Sequence, residues 1–157
     1  MALLNYTSQT PAVNSIAYIE TKLARCGAKQ ILKMYDPNAR VEGIAFIIPI
    51  DGVDMSFKLP AQVNACEETL KASVRRPRSD TYKRIAKQAE RTAWKIVADW
   101  VDAQMAMIEL SQVEFMQVFM PYLYCHAKNQ TYFEMMKAKG FQKMLPGAVS
   151  ETKGGTA

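Results

Sequence analysis

Apolar positions change period along the chain, and each change marks a new element. Val13, Ile16, Ile19 and Leu23 recur at steps of three and four, the stripe of an amphipathic helix, with Asn14 or Ser15 at its start and Gly27 at its stop. Gln30 to Tyr35 is a short β-favouring run closed by the turn cluster Asp36-Pro37-Asn38, where proline cannot continue a ladder. Next, Ile44, Phe46, Ile48 and Ile50 alternate, as do Val53, Met55, Phe57 and Leu59, with Asp51-Gly52 between them. Asp-Gly flanked by alternating apolar residues predicts a hairpin, because a type I′ turn needs positive φ at both central residues. On the second strand the opposite face carries Asp54, Ser56 and Lys58, so part of the sheet is expected to be wet on one side.

After the hairpin the period becomes helical. Pro60 can open a short helix with Val63, Cys66, Leu70 and Val74 on one stripe, ending before Pro77. Ser79 or Asp80 then caps a run in which Ile85, Ala89, Ala93, Ile96, Trp100, Ala103 and Met107 keep a helical period to near Leu110, a helix about 45 Å long. Ser111-Gln112-Val113-Glu114 and Thr131-Tyr132-Phe133-Glu134 both read as capping boxes that start new helices, with Pro121 ending or kinking the first and Gly140 stopping the second. Together these elements predict an α+β fold in which a three-stranded antiparallel sheet packs against the long helix, with additional C-terminal helices. Residues 1–145 are expected to form a single domain and 146–157 a disordered tail, since Gly147 to Ala157 is small and polar.

Composition supports a folded chain. With 157 residues, 49% hydrophobic and 22% charged, it is long enough to bury a core and too apolar for disorder. Ile44 to Ile50 and the interrupted run Val101 to Leu110 are too short to span a bilayer, and Met1 to Gln9 lacks the pattern of a signal peptide, so a cytoplasmic setting without membrane association is expected. Cys26, Cys66 and Cys125 are odd in number and widely spaced, which suits reduced, partly buried thiols.

Charge changes the picture more. Between Lys71 and Lys95 nine basic residues face only Asp80 and Glu90, a balance of +7, whereas the rest of the chain, with 11 basic and 13 acidic residues, is −2. Arg84, Lys87, Arg91 and Lys95 fall on one stripe opposite Ile85, Ala89, Ile96 and Trp100. Such a stripe is often only a solvated face. Lys83 and Arg84, however, oppose the macrodipole in the first turns, and Arg75, Arg76 and Arg78 form a guanidinium cluster just before them; a bound anion would offset both. The candidate binding set for nucleic acid or an acidic protein surface is therefore Arg75, Arg76, Arg78, Lys83, Arg84, Lys87, Arg91 and Lys95. Of the neighbouring aromatics, Tyr82 is expected on the core side and Trp94 between stripe and core. Phe115, Met116, Phe119, Met120, Tyr122 and Leu123 exceed what one face of a short helix can bury, so Phe115, Phe119, Met120 and Tyr122 are candidates for contact with a partner or a second copy of the chain.

Catalytic chemistry finds no anchor. His126, the single histidine, adjoins Cys125 in sequence, but adjacent side chains on an extended segment diverge, and no spacing suits a metal. Asp99 and Asp102 read as a solvated patch. No glycine-rich phosphate loop is present, so no cofactor is expected and the chain reads as non-enzymatic.

Asn5-Tyr6-Thr7, Cys26-Gly27-Ala28, Phe57-Lys58-Leu59-Pro60-Ala61, the block Glu90 to Met105 and Phe119-Met120-Pro121-Tyr122 together resemble a group of small uncharacterised proteins encoded in bacterial prophages and integrative elements. The likeness spans most of the chain and is most specific from Trp94 to Met105. It implies a phage or mobile-element setting in a bacterial host. Small proteins of that setting commonly bind nucleic acid, or bind and block a host defence protein in the manner of an anti-CRISPR protein.

Overall fold

The structure, a computed structural model, describes residues 2–145 and 147. The tail expected to be disordered from Pro146 onward lies outside them, apart from Gly147. Strands β1 (Gln30–Tyr35), β2 (Val41–Ile50) and β3 (Val53–Pro60) form an antiparallel sheet in the order β1-β2-β3. Asp51 and Gly52 take φ values of 50° and 80°, the two positive angles the turn requires, and set Ile50 opposite Val53. From that register follow the facing pairs Ile48 with Met55, Phe46 with Phe57 and Ile44 with Leu59. Val53 is the exception to the alternation, since it lies beside the turn and points into solvent.

Helices α1 (Ala12–Arg25), α2 (Val63–Ala72) and α3 (Thr81–Glu109) follow the stripes read from sequence, with shifts at the starts of α1 and α2 and the cap of α3 at Asp80 as read. Helix α1 begins after Pro11 rather than at Asn14 or Ser15, so Val13 is exposed and Ser15 is buried inside the helix. It ends as expected: Gly27 at φ 105° lets its own N–H donate to the Ala24 carbonyl at 3.1 Å and that of Ala28 to Leu23 at 3.0 Å. Helix α2 starts three residues past Pro60, because Pro60 still closes β3 opposite Gly43.

The core joins Ile16, Ile19 and Leu23 of α1 and Ala89, Ala93, Trp94, Ala98 and Val101 of α3 to Ile44, Phe46, Phe57 and Leu59 of the sheet. Three alanines on α3 let its neighbours approach closely, whereas Trp94 fills the space toward the sheet and donates its indole N–H to the Val41 carbonyl at 2.9 Å. Asp99 and Asp102 are exposed, as a solvated patch would be, and also serve as hooks. Asp99 accepts from Asn5 at 2.9 Å and pairs with Lys95, while Asp102 accepts from the Tyr18 hydroxyl at 2.7 Å and pairs with Lys22 at 3.3 Å. The hydrogen bond from Tyr18, followed by that from Lys22, holds the Asp102 carboxyl below its usual range.

Beyond α3 one predicted cap holds, through a single bond, and the other is displaced. Ser111, at φ 57°, ends α3 instead of starting a helix: its N–H donates to Ile108 and that of Gln112 to Met107, both at 3.0 Å. The next helix, α4 (Phe115–Phe119), is capped three residues later, where the Gln117 side-chain oxygen accepts from the Glu114 N–H at 2.7 Å. Pro121 then sits in a 3-10 turn, Met120–Tyr122, and Leu123 bridges to Phe57 along the outer edge of β3. A two-residue pair, β4 (Tyr124–Cys125) with β5 (Gln130–Thr131), was not legible as strand. Thr131 caps α5 (Tyr132–Lys139) as read, its hydroxyl accepting from the Glu134 N–H at 3.3 Å, and Gly140 ends that helix at φ 88°.

An ion network ties the β1–β2 turn to α2. Asp36 accepts the N–H groups of Asn38 and Arg40 at 2.8 and 2.9 Å, and the Arg40 guanidinium reaches Asp36, Glu67 and Asn64 at 3.0, 3.0 and 2.8 Å. The Arg40 N–H is the main cause holding the Asp36 carboxyl below its ordinary value of about 3.9. Its ionised form therefore stabilises the fold above that value, and the contribution disappears as pH falls through the lower folded value. The melting temperature of Asp36→Asn should lie below that of the native protein by a constant margin from pH 7 to about 5, with the gap closing below about pH 4. Trp94→Phe should cost about 2–4 kcal/mol in denaturant unfolding, since it opens a cavity and orphans the Val41 carbonyl, while Val13→Ala stays within about 0.5 kcal/mol.

Candidate functional site

The basic region occupies the connection from α2 to α3 and the first two turns of α3. Both ends of the connection are pinned by local hydrogen bonds. The Ser73 hydroxyl donates to the Leu70 carbonyl at 2.7 Å, and the Arg78 N–H donates to the Thr81 hydroxyl at 2.8 Å. Pro77 and half-buried Val74 restrict what lies between. Arg75, Arg76 and Arg78 all project into solvent, and among the described residues none has an ion-pair partner.

The first buried residue of α3 is Ala89. Its first two turns thus run ahead of the core, carrying Lys83, Arg84 and Lys87 exposed. Asp80 occupies the N-cap, but its carboxylate makes no cap bond and lies 3.5 Å from Arg84 instead, on an open surface where such a pair contributes little. No acid lies in the first turn, so the N-cap Asp80 is set against Lys83, Arg84 and the positive end of the helix dipole together.

The helical stripe read from sequence divides here into two groups. Arg84 and Lys87 belong to the exposed cluster, whereas Arg91 is half-buried, its Nε donating to the Ser8 carbonyl at 3.2 Å and Nη2 to Gln88 at 2.6 Å. Gln88 also donates to Ser8, at 3.0 Å, and the Thr92 hydroxyl to the Asn5 carbonyl, at 2.9 Å, so this part of α3 lays the N-terminal segment along itself. Lys95 is engaged by Asp99 at 2.9 Å. Arg91 is thereby committed to the fold through Ser8, a partner far away in sequence that helical spacing cannot reveal, whereas Lys95 is held in a surface pair one helical turn on.

Of the neighbouring aromatics, Tyr82 sits opposite to expectation and Trp94 lies deeper than the boundary position read for it. Trp94 is buried in the core, and Tyr82 is 49% exposed, its ring 5.5 Å from the Lys71 ammonium. The apolar set near the C-terminus is placed mostly inward. Phe119 is fully buried and meets Trp100 edge-on at 5.6 Å, Phe115 stacks on Phe119 at 4.3 Å, and Tyr122 packs on Trp100 at 5.6 Å. Met120 alone of the four is exposed.

One convergence escaped the sequence. His126 Nε2 lies 2.8 Å from the Ser56 hydroxyl, with the Tyr124 ring edge-on at 4.6 Å, beside an open cleft of about 420 Å³ on the outer face of the sheet. The partners are 70 residues apart and are brought together by the bridge that lays Leu123 along β3. Among the described residues no acid hydrogen-bonds the imidazole, so the group that would orient a base in a nucleophilic dyad is missing, and the bond pins the β4–β5 turn to the sheet. Cys66 is buried and Cys26 and Cys125 half-buried, all free; burial raises Cys26 and Cys66, keeping those two as neutral thiols. Among the described residues no three His, Cys, Asp or Glu side chains gather as a metal site, and no helix is long and apolar enough to cross a membrane.

No known protein family, curated protein or solved structure matches the chain, so the reading rests on the geometry of this surface and on the residues themselves.

The division of the stripe has a measurable consequence. Arg91→Ala should lower unfolding stability by about 1–2 kcal/mol through its lost hydrogen bonds, whereas Arg76→Ala and Lys87→Ala should each change it by less than about 0.5 kcal/mol.

Proposed function

We propose that the chain is a non-enzymatic protein of a phage or mobile element that binds nucleic acid through the α2–α3 connection and the start of α3. The observation that carries this reading is the concentration of Arg75, Arg76, Arg78, Lys83 and Lys87, exposed and without acid partners among the described residues, around the N-terminus of α3. Phosphates are the groups such a surface takes best, because guanidinium forks bind them bidentately and each contact releases a counterion. Arg84 can join by exchanging its weak pair with Asp80, and Arg91 and Lys95 support the helix rather than the ligand. The mobile-element setting is supported by the likeness carried by Glu90 to Met105 and the shorter motifs. An inhibitor of a host defence protein would draw on the same arginines, but of its expected apolar anchors Phe119 is buried in the core and Phe115 and Tyr122 are packed against it, which leaves it the second reading.

Affinity for labelled DNA or RNA should fall steeply with salt. The variant Arg75→Ala/Arg76→Ala/Arg78→Ala should lose at least about tenfold in affinity and flatten the log–log salt slope by about 2 to 3, with its melting curve unchanged. Absence of binding at low salt, or binding indifferent to salt, would overturn the reading.

A further inference from the structure

We infer that Tyr82 is a stacking platform for an unpaired base, so that the basic surface selects single-stranded nucleic acid over duplex; this rests on the nucleic-acid reading above. Between Lys71 and Lys95 the aromatics are Tyr82 and Trp94, and burial withdraws Trp94 from any ligand. Tyr82 lies in the first turn of α3 with nearly half of its surface open, among the exposed cations Arg78, Lys83 and Arg84.

The ring is also held in place before any ligand arrives. Lys71 stands 5.5 Å from its centroid, Glu67 fixes Lys71 at 3.1 Å, and Arg40 fixes Glu67 at 3.0 Å, so a relay of charges runs from the β1–β2 turn to the ring. An ammonium near a π system leaves the remainder of the ring for another flat partner. A fixed aromatic among cations is the combination that binds single strands: bases stack on the ring while flanking phosphates meet the positive side chains. Bases inside a duplex already stack on one another and offer no face, so the ring adds affinity for the single strand alone. An acidic protein surface would use the cations and gain nothing from the ring.

The test is fluorescence anisotropy with the full chain, a single-stranded DNA of about 16 nucleotides and its duplex, at low salt. The proteins compared are the native chain, Tyr82→Ala, Tyr82→Phe and the triple-arginine variant, with thermal melts to verify folding. Tyr82→Ala should weaken single-strand binding about 5- to 50-fold and leave duplex binding unchanged, and Tyr82→Phe should restore the native value because stacking does not need the hydroxyl. If Tyr82→Ala weakens neither probe, or both equally, while the triple-arginine variant loses both, the stacking inference is overturned and the nucleic-acid reading stands. If the native chain binds neither probe, that reading falls and takes this one with it.

Discussion

The indole of Trp94, donating to the Val41 carbonyl from a site closed to water, locks the long helix to the sheet, and the remaining architecture takes its position from that contact. A helix packed through alanines alone could slide or roll against a flat sheet. A single large side chain with one directed bond removes both freedoms. With the rotation of α3 set, Asp99 and Asp102 come to face the N-terminal segment and α1, and the hydrogen bonds from Asn5 and Tyr18 follow.

That same placement decides which cations remain available. Because the first buried residue of α3 is Ala89, the two turns before it extend past the core. Cations on the part that lies over the domain are recruited into the structure: Arg91 ties down Ser8, and Lys95 pairs with Asp99. Those on the projecting part meet solvent. The charge of the region is thus concentrated at one end of the molecule, where the helix dipole adds to it.

The C-terminal third works on the same principle of recruitment. Phe115, Phe119 and Tyr122 look excessive for a five-residue helix when that helix is considered alone, yet the sheet and α3 together leave a gap that their rings close. Leu123 then runs beside β3 and covers part of an edge that would otherwise present unpaired backbone groups. The outer face of the sheet receives Tyr124 and His126 as a consequence, over Lys58 and Ser56.

Local chemistry was enough to determine the three strands, the Asp51-Gly52 turn, the stop at Gly27, the long helix and the cap at Thr131. The turn, the stop, the cap and the helix depend on dihedral preferences and on hydrogen bonds between residues at most a few positions apart, and the strands on their alternation and on the register that the turn sets. The start of α1, the capping box moved from Ser111 to Glu114 and the short β4–β5 pair depend on competition between neighbouring signals that packing resolves. At the candidate site, the excess of cations and the run of residues that carries it were evident from the sequence. Only the tertiary structure decided that Arg91 ties down the N-terminal segment, that Tyr82 faces solvent while Trp94 fills the core, and that His126 meets Ser56. Burial and long-range hydrogen bonding depend on which elements come to lie side by side, and a helical period names the face of a residue without naming what that face will meet.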